Sequence, residues 1–203
     1  MKILIISAHP DDEVLGCGGT SLKYKEVYSL VLSKGRDNQI TTDKVAEFMG
    51  FQKHWQFDFP DNKFDTVPLL DIVEVIEKIK NEIKPQIVFT HFEYDLNIDH
   101  KITYQAVITA TRPIAGESVR EIYSFEIPSS TEWNSPRIYA PNVFVDIEDT
   151  IKKKIEAFCM YESEVRSFPH PRSPEALRVI AKRWGVVSGL KCAEAFLLIR
   201  KTR

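Results

Sequence analysis

The chain has 203 residues, of which 43% are hydrophobic and 11% aromatic, so it can bury the core of an ordinary globular protein. Its formal net charge of −2 at pH 7 gives no electrostatic reason to expect nucleic acid or an anionic membrane surface as a partner. No apolar run reaches the roughly 20 residues that a membrane helix needs, so membrane insertion is not expected.

The cysteines and the first residues of the chain bear on its compartment. Cys17, Cys159 and Cys192 are odd in number and lack CxxC spacing, which argues against a disulfide framework and a cysteine zinc site. The sequence begins directly with a strand pattern, without the charged and apolar regions of a signal peptide. We therefore expect a cytoplasmic protein.

The apolar pattern predicts strands that alternate with helices. In chain order, the predicted elements are a strand at Lys2–Ser7, a helix at Asp12–Lys25, a strand at Val27–Ser33, a helix at Thr41–Met49, a strand within Phe51–Pro60, a helix at Leu69–Ile83, a strand at Gln86–His91, a helix at Asp99–Thr111, strands at Glu121–Ile127 and Val143–Val145, helices at Thr150–Tyr161 and Pro174–Trp184, and a strand at Ala193–Ile199. This order is typical of a Rossmann-like three-layer α/β/α fold with a mostly parallel sheet, and we expect residues 1–203 to form one domain.

A cluster of titratable residues follows the first predicted strand. That strand runs directly into His9 and Pro10, and then into the acids Asp11, Asp12 and Glu13. Helix capping explains acids at a helix start, because the macrodipole favours each of them by about 0.3–1 kcal/mol. Capping does not explain a histidine at the strand tip, so a chemical role is a second interpretation.

A second cluster follows the predicted strand Gln86–His91. Its ten residues supply the following candidates: His91, Glu93, Asp95, Asn97, Asp99 and His100. In a mostly parallel sheet, ligands bind beyond the carboxyl ends of the strands, where both clusters lie. Histidine and carboxylate groups from separate strand tips are what a catalytic zinc site needs, with three protein ligands and one open position.

The two clusters also carry a family resemblance. The segments AHPDDE (with GCGG behind it) and DLNIDHK resemble the metal motifs of the PIG-L/LmbE-like zinc-dependent N-deacetylases. HPRSPEAL at 170–177 and AEAF at 193–196 resemble that family's C-terminal segments. The resemblance implies a metal-dependent amide hydrolase that removes an N-acyl group, in particular an N-acetyl group, from a small-molecule amino sugar or amino-sugar conjugate.

The resemblance also implies a division of roles. By position, His9, Asp12 and His100 are the ligands of Zn²⁺ or another divalent metal, and Asp11 is the general base on the zinc-bound water. Adjacent acids suit this division, because one can be held by the metal while the other moves a proton. The residues alone do not say which acid does which. Asp99 is expected to orient a neighbouring ligand, to cap the helix after it, or both.

Asn97 is a departure from the family pattern. In the better-studied branch, a histidine stands three positions before the last metal ligand, where this chain has Asn97. An asparagine can donate a hydrogen bond to an oxyanion, but it cannot act as a general acid. We therefore expect a catalytic donor role for Asn97, while Asp11 carries all proton transfer or is helped by His91 or His170.

Three further residues are candidates for substrate binding. Arg36 follows the second strand and could grip a substrate oxygen, although a solvated loop arginine explains it equally well. His170 and Arg172 lie in a proline-rich loop that either lines the pocket or forms a simple turn. Trp133, in an exposed-looking loop, could stack on a sugar or make a subunit contact, so a homo-oligomer is compatible with the sequence.

The alternative from another class is a non-catalytic Rossmann-like protein that binds a nucleotide or another small molecule. The stretch GCGGTS at 16–21 invites it. A dinucleotide-binding glycine loop should lie in the turn directly after the strand, however, and that turn is HPDDE here. Close packing of a helix against the sheet is the better interpretation of these glycines. A metal-dependent hydrolase should respond to a chelator that removes its metal, whereas nucleotide binding should be indifferent to it.

Overall fold

The computed structural model describes residues 1–35 and 39–203 of the chain. Within these residues, seven strands and six α-helices follow one another along the chain. Their bounds, in chain order, are β1 (Lys2–Ser7), α1 (Asp12–Ser21), β2 (Glu26–Ser33), α2 (Gln39–Met49), β3 (Lys53–Phe59), α3 (Leu69–Ile83), β4 (Ile87–His91), α4 (Ile98–Ala110), β5 (Glu121–Phe125), β6 (Val143–Asp146), α5 (Ile151–Cys159), α6 (Pro174–Ser188) and β7 (Ala193–Lys201).

The strands form one sheet in the order β3-β2-β1-β4-β5-β7-β6. β1 pairs in parallel with β2 on one side and with β4 on the other, whereas β7 runs antiparallel to its neighbours β5 and β6. The predicted mostly parallel sheet is therefore confirmed. β1 is an interior strand of the sheet with both faces covered, which explains why its sequence is apolar almost throughout.

Helices cover both faces of the sheet. On one face, Val14 of α1 and Phe158 of α5 belong to the same apolar cluster as Ile5 of β1. On the other face, Ile76 of α3 packs in a second cluster with Ile6 of β1. The helix α6 lies against β6 and β7. These layers confirm the predicted three-layer α/β/α architecture.

Two helices end four residues away from the prediction, whereas the other helix ends differ by two residues at most. α1 ends at Ser21 rather than at Lys25, because the chain there tightens into turns, with the Tyr24 N–H donating to the Ser21 carbonyl at 3.0 Å. α6 continues to Ser188, where Gly189 ends it in the left-handed conformation at φ 75°. Among the described helices, none combines the length and the apolar character needed to cross a membrane.

α1 is also interrupted in its middle, where Cys17 leaves the helical conformation at φ −143° and ψ 21°. A buried ion pair bridges this break, with Lys154 Nζ 2.6 Å from Glu194 Oε1. Lys154 also donates to the Leu15 carbonyl at 2.7 Å, and Glu194 accepts the Gly19 N–H at 2.9 Å. The pair thus satisfies backbone groups that the break leaves without helical partners.

The glycines of GCGG serve this packing. A side chain at Gly16 would collide with the ring of Phe125, and a Cβ at Gly19 would lie 2.9 Å from Ile147. Both glycines lie within α1, and the turn after β1 is formed by other residues. The structure therefore agrees with the packing interpretation and gives the dinucleotide-loop alternative no support.

Candidate active site

The two motif clusters meet at the carboxyl edge of the sheet, beside a cavity of about 180 Å³. The neighbouring parallel strands β1 and β4 end just before His9 and at His91, which brings both clusters to one place. Residues from several separate segments line the cavity: His9, Pro10, Asp11, Gly35, Asp61, Asn62, Asn97, Glu164 and Arg172.

Asp11 marks the sharp turn between β1 and α1. Its backbone lies at φ 93° and ψ −31°, a region that costs a non-glycine residue about 1–3 kcal/mol. Although Asp11 occupies the N-cap position of α1, its side chain makes no capping hydrogen bond. Its carboxylate instead lies 3.1 Å from Nη1 of Arg172. Helix capping therefore does not account for this acid.

Three candidate metal-ligand atoms converge next to Asp11. His9 Nδ1 lies 3.2 Å from His100 Nε2, and Asp12 Oδ2 lies 3.3 Å from each of these nitrogens. The three side chains form a group that could hold a metal ion. Two imidazoles and one carboxylate, with a fourth position left for water or substrate, are the donor set of many catalytic zinc sites.

The outer nitrogens of both imidazoles contact buried carboxylates. His9 Nε2 lies 2.9 Å from Asp99 Oδ2, and His100 Nδ1 lies 2.9 Å from Asp95 Oδ1. Each ring therefore donates its outer N–H to a carboxylate and turns its other nitrogen to the centre of the group. Metal-binding histidines are oriented in this way, so the residues present fit a divalent metal.

Asp95 anchors His100 firmly. It accepts hydrogen bonds from the hydroxyls of Ser130 and Thr131 as well as from the His100 ring. Burial would raise the pKa of Asp95, but these hydrogen bonds and the charge of His100 lower it to about 2. The carboxylate is therefore ionised at neutral pH and holds the His100 ring in one orientation.

The pKa values of two of these candidate ligands, His9 and Asp12, are shifted in opposite directions. Burial would lower the pKa of His9, but the hydrogen bonds and charges of Asp12 and Asp99 outweigh it and raise the pKa to about 10. Burial would raise the pKa of Asp12, but the neighbouring imidazole of His100 holds it well below its usual range. Without a metal, the group therefore keeps a proton on His9 at neutral pH, close to where a cation would bind.

Asp11 and Glu164 hold Arg172 at the side of the cavity. Arg172 Nη1 lies 2.7 Å from Glu164 Oε2 and 3.1 Å from Asp11 Oδ2. Burial raises the pKa of Asp11 well above its usual range, although the guanidinium of Arg172 acts in the opposite direction. The predicted substrate-binding residue Arg172 thus lies beside the predicted base and is fixed by two carboxylates.

Asp99 ties the loop between β3 and α3 to the site. Its Oδ2 accepts the Asn62 N–H at 2.7 Å, in addition to its contact with His9, and its Oδ1 accepts the Phe64 N–H at 2.9 Å. This geometry supports the predicted orienting role. The capping role predicted for Asp99 is wrong, because α4 begins at Ile98 and the cap is the preceding residue, Asn97.

Asn97 makes two hydrogen bonds with its side-chain amide. Its Oδ1 accepts the Asp99 N–H at 2.8 Å, and its Nδ2 donates to Asn62 Oδ1 at 3.0 Å. Asn97 also lines the cavity. The helix-capping contact is therefore present, and the catalytic donor role stays a prediction.

The histidines considered as additional acids lie elsewhere. His91 is fully buried and is not among the cavity-lining residues of the described chain. His170 is also absent from that lining; its Nδ1 accepts the Arg172 N–H at 3.1 Å, and its ring meets Trp133 edge-on at 5.6 Å. Arg36, predicted to bind substrate, lies outside the described residues.

The third acid of the first cluster, Glu13, points away from the cavity. Its Oε1 accepts the hydroxyl of Tyr161 at 2.5 Å, and burial raises its pKa to about 7. Within the described chain, Glu13 is absent from the cavity lining. It supports the start of α1 from the side of α5.

Sequence reasoning missed three residues of the cavity wall, Asp61, Asn62 and Glu164. Asp61 and Asn62 belong to a PDN stretch after β3, whose composition is typical of a turn and gives no sign of a site. Glu164 belongs to no recognisable motif. It lines the cavity beside Arg172, to which it is ion-paired.

The fold and the donor set define a Rossmann-like α/β protein with a candidate metal centre at the edge of its sheet. Residues 4–111 match the family model PIG-L, described as GlcNAc-PI de-N-acetylase. This match covers more than half of the 203 residues, and the chain belongs to the PIG-L family. The resemblance found in the motifs is thereby confirmed.

The curated relatives are deacetylases. The chain is 29% identical over 163 residues to the uncharacterized deacetylase YaiS of Escherichia coli (strain K12), with 72% of this chain and 82% of that protein covered. It is 27% identical over 226 aligned positions to the diacetylchitobiose deacetylase of Thermococcus kodakarensis, with 98% and 83% covered. A deacetylase hydrolyses the bond to an acetyl group, so both of these relatives carry the names of hydrolases.

A solved structure shares the fold. The N,N'-diacetylchitobiose deacetylase of Pyrococcus horikoshii superposes with a TM-score of 0.78 at 22% identity, with 98% of this chain and 84% of that chain covered. The similarity extends over nearly all of the present chain. It agrees with the three-layer fold described above.

Proposed function

We propose that this protein is a metal-dependent hydrolase that removes an N-acyl group, in particular an N-acetyl group, from an amino sugar or an amino-sugar conjugate. His9, Asp12 and His100 would hold Zn²⁺ or another divalent metal. One observation carries the proposal. Three possible metal-ligand atoms lie 3.2–3.3 Å apart beside a cavity. The same cavity is lined by Asp11, whose carboxylate makes no helix-capping hydrogen bond.

The amino-sugar substrate is supported by the cavity wall and by the relatives. The described wall is almost entirely polar, with the amides of Asn62 and Asn97, the guanidinium of Arg172 and the carboxylates of Asp61 and Glu164. Such groups can hydrogen-bond the hydroxyls of a sugar ring. The Thermococcus relative, named for diacetylchitobiose, acts on an N-acetylated sugar.

The reaction requires an activated nucleophile, because an amide is a poor electrophile. A bound divalent metal would act as a Lewis acid on the carbonyl oxygen and lower the pKa of a water molecule to about 7. Asp11 takes the proton of the attacking water and passes it to the departing amine as the C–N bond breaks. The Asp11 carboxylate must accept this proton and hold it between the two transfers.

Arg172 and Asn97 assist in this scheme through hydrogen bonds. Arg172 keeps the Asp11 carboxylate in one orientation, through the contact of 3.1 Å. The Nδ2 atom of Asn97 carries two N–H groups, and Asn62 accepts one of them. The other would donate to the oxygen of the amide as negative charge develops on it.

The experiment is a screen of N-acetylated sugars, sugar nucleotides and thiol-sugar conjugates for amine release. We expect at least one substrate to be turned over, activity to be lost on treatment with a chelator, and Zn²⁺ to restore it. Amine release from no substrate, or full activity in metal-stripped protein, would contradict the proposal. Dinucleotide affinity that is indifferent to chelators would support the alternative of a nucleotide-binding protein.

A further inference from the structure

His91 ends β4 directly beneath the candidate metal centre, yet the proposed mechanism does not use it. It is fully buried, and its ring contacts His100, the Ala8 N–H and, at 3.5 Å, the Asp12 carboxylate. We propose that His91 is a positioning residue that holds His9 and His100 in the geometry that binds the metal. This inference rests on the proposed function.

The first contact fixes the backbone before His9. The backbone pairing of β1 with β4 ends at Ile5 and Phe89, so the last residues before the turn lack ladder partners on that side. There the Ala8 N–H donates to His91 Nε2 at 2.9 Å, in place of a backbone carbonyl. The side chain of His91 therefore extends the strand pairing to the residue next to His9.

On the β2 side, the same point of β1 is held by a backbone hydrogen bond. The Ser33 N–H donates to the Ala8 carbonyl at 2.9 Å. Ala8 is thus held from both neighbouring strands, on one side by backbone and on the other by the His91 ring. Loss of the His91 ring would therefore remove the hydrogen bond of Ala8 on the β4 side and leave the one on the β2 side in place.

The second contact supports the other imidazole of the group. The ring of His91 stacks on the ring of His100, with centroids 4.0 Å apart and planes 15° from parallel. The ring of Phe125 meets His91 edge-on at 5.0 Å. His100 is therefore fixed by its hydrogen bond to Asp95 and by this stacked ring, which restricts its rotation.

The hydrogen bond to Ala8 also sets the tautomer of His91. Because Nε2 accepts an N–H, it carries no proton, and a neutral ring must be protonated at Nδ1. His91 Nε2 lies 3.5 Å from Asp12 Oδ2. Because this nitrogen carries no proton, His91 forms no ion pair that would compete with a metal for the Asp12 carboxylate. Burial away from the cavity excludes His91 as an acid that reaches substrate.

Two variants separate the contacts. His91→Phe keeps an aromatic ring against His100 but loses the acceptor for Ala8, whereas His91→Gln keeps an acceptor and loses the ring. His54→Gln is the matched control, because His54 lies on β3, has no contact with the donor group in the described structure and carries the same substitution. Zn²⁺ affinity is measured by competition with a chromophoric chelator, on protein whose cooperative unfolding is verified first.

We expect each His91 variant to bind Zn²⁺ about 10–100-fold more weakly than the wild type, and the His54 variant to bind like the wild type. A loss in one variant alone would assign the role to the contact which that variant lacks. Wild-type affinity in both folded variants would overturn the inference. A wild type that binds no Zn²⁺ would instead contradict the proposed function.

A measurement on the wild type covers the case in which both variants fail to fold. Nitrogen NMR of the histidine rings reports which nitrogen carries the proton. We expect His91 to be protonated at Nδ1 and bare at Nε2, and its signals to shift on addition of Zn²⁺. A proton on Nε2 would exclude the hydrogen bond from Ala8 and overturn the inference.

Discussion

His9 Nδ1 and His100 Nε2 face each other at 3.2 Å, although 91 residues separate them in the chain. The outer nitrogen of each ring contacts a buried carboxylate, of Asp99 or Asp95. Two nitrogen lone pairs directed at one point repel unless a proton or a metal lies between them. The geometry therefore calls for a proton or a metal ion between the two nitrogens.

The first prediction concerns the metal content. We expect about one divalent ion per chain in protein supplied with Zn²⁺, bound by His9, Asp12 and His100. His100→Ala should lose most of the metal, because it removes one of three ligands. Elemental analysis after dialysis measures this. Full occupancy in the His100→Ala protein would show that this ligand is assigned wrongly.

The second prediction concerns proton release on metal binding. Because the pKa of His9 is raised to about 10, the metal-free protein carries a proton there at neutral pH, and the metal must displace it. The pKa of His100 is raised as well, so calorimetry in buffers of different ionisation enthalpy should report at least one proton released per metal, with affinity rising with pH below the pKa of His9. A metal affinity that does not change with pH would contradict it.

The third prediction concerns Asp11. Asp11→Asn keeps the size of the side chain and removes the base, and asparagine tolerates a positive φ such as the 93° observed here. We expect metal content to be retained and turnover to fall about 10²–10⁴-fold. Asp71→Asn, in the exposed first turn of α3, is the control and should behave like the wild type. Normal turnover in the Asp11 variant would exclude it as the base.

The fourth prediction separates the two roles of Asn97. Asn97→Asp keeps an oxygen that can accept the Asp99 N–H, whereas Asn97→Ala loses this cap and should cost about 1 kcal/mol of stability. If Asn97 donates to the oxyanion, both variants lose about 10²–10³-fold in kcat. The Asp variant should be the slower of the two, because it sets a negative charge against the oxyanion. We therefore expect opposite rank orders in stability and in kcat.

Metal content and substrate affinity of both Asn97 variants should stay near those of the wild type. Urea unfolding and steady-state kinetics on one active substrate measure the two rank orders. An Asn97→Asp protein as active as the wild type would rule out the donor role and leave the cap alone.

The fifth prediction concerns pH and His54. Burial lowers the pKa of His54 to about 4, below its usual value of 6.5, and neither ring nitrogen has a hydrogen-bond partner among the described residues. Between these values the unfolded chain binds a proton that the folded chain does not. The contribution of neutral His54 to stability is thus fully present above pH 6.5 and is lost as the pH falls toward 4.

In His54→Gln, the free energy of unfolding should therefore decline less between about pH 7 and about pH 5 than in the wild type. Urea unfolding at both pH values measures the difference, and the other histidines contribute equally to both proteins. An identical decline in the two proteins would show that His54 titrates normally.

The sequence by itself determined the sheet and the place of the site. Near-continuous apolar runs such as Lys2–Ser7 predict strands covered on both faces, and the alternation with helices predicts parallel pairing. Parallel strands end at one edge, so the clusters around His9 and His100 were predicted to meet there. These signals are local in the chain, so the sequence carries them without reference to tertiary contacts.

Only the tertiary structure decided how the individual side chains are used. The partners that distinguish the two acids are His100 for Asp12 and Arg172 for Asp11, and both lie far along the chain. Glu164 belongs to no motif and lines the cavity beside Arg172, and His91 is buried and accepts the Ala8 N–H. Such contacts depend on strand register and on the packing of distant segments, and a local sequence pattern encodes neither of these.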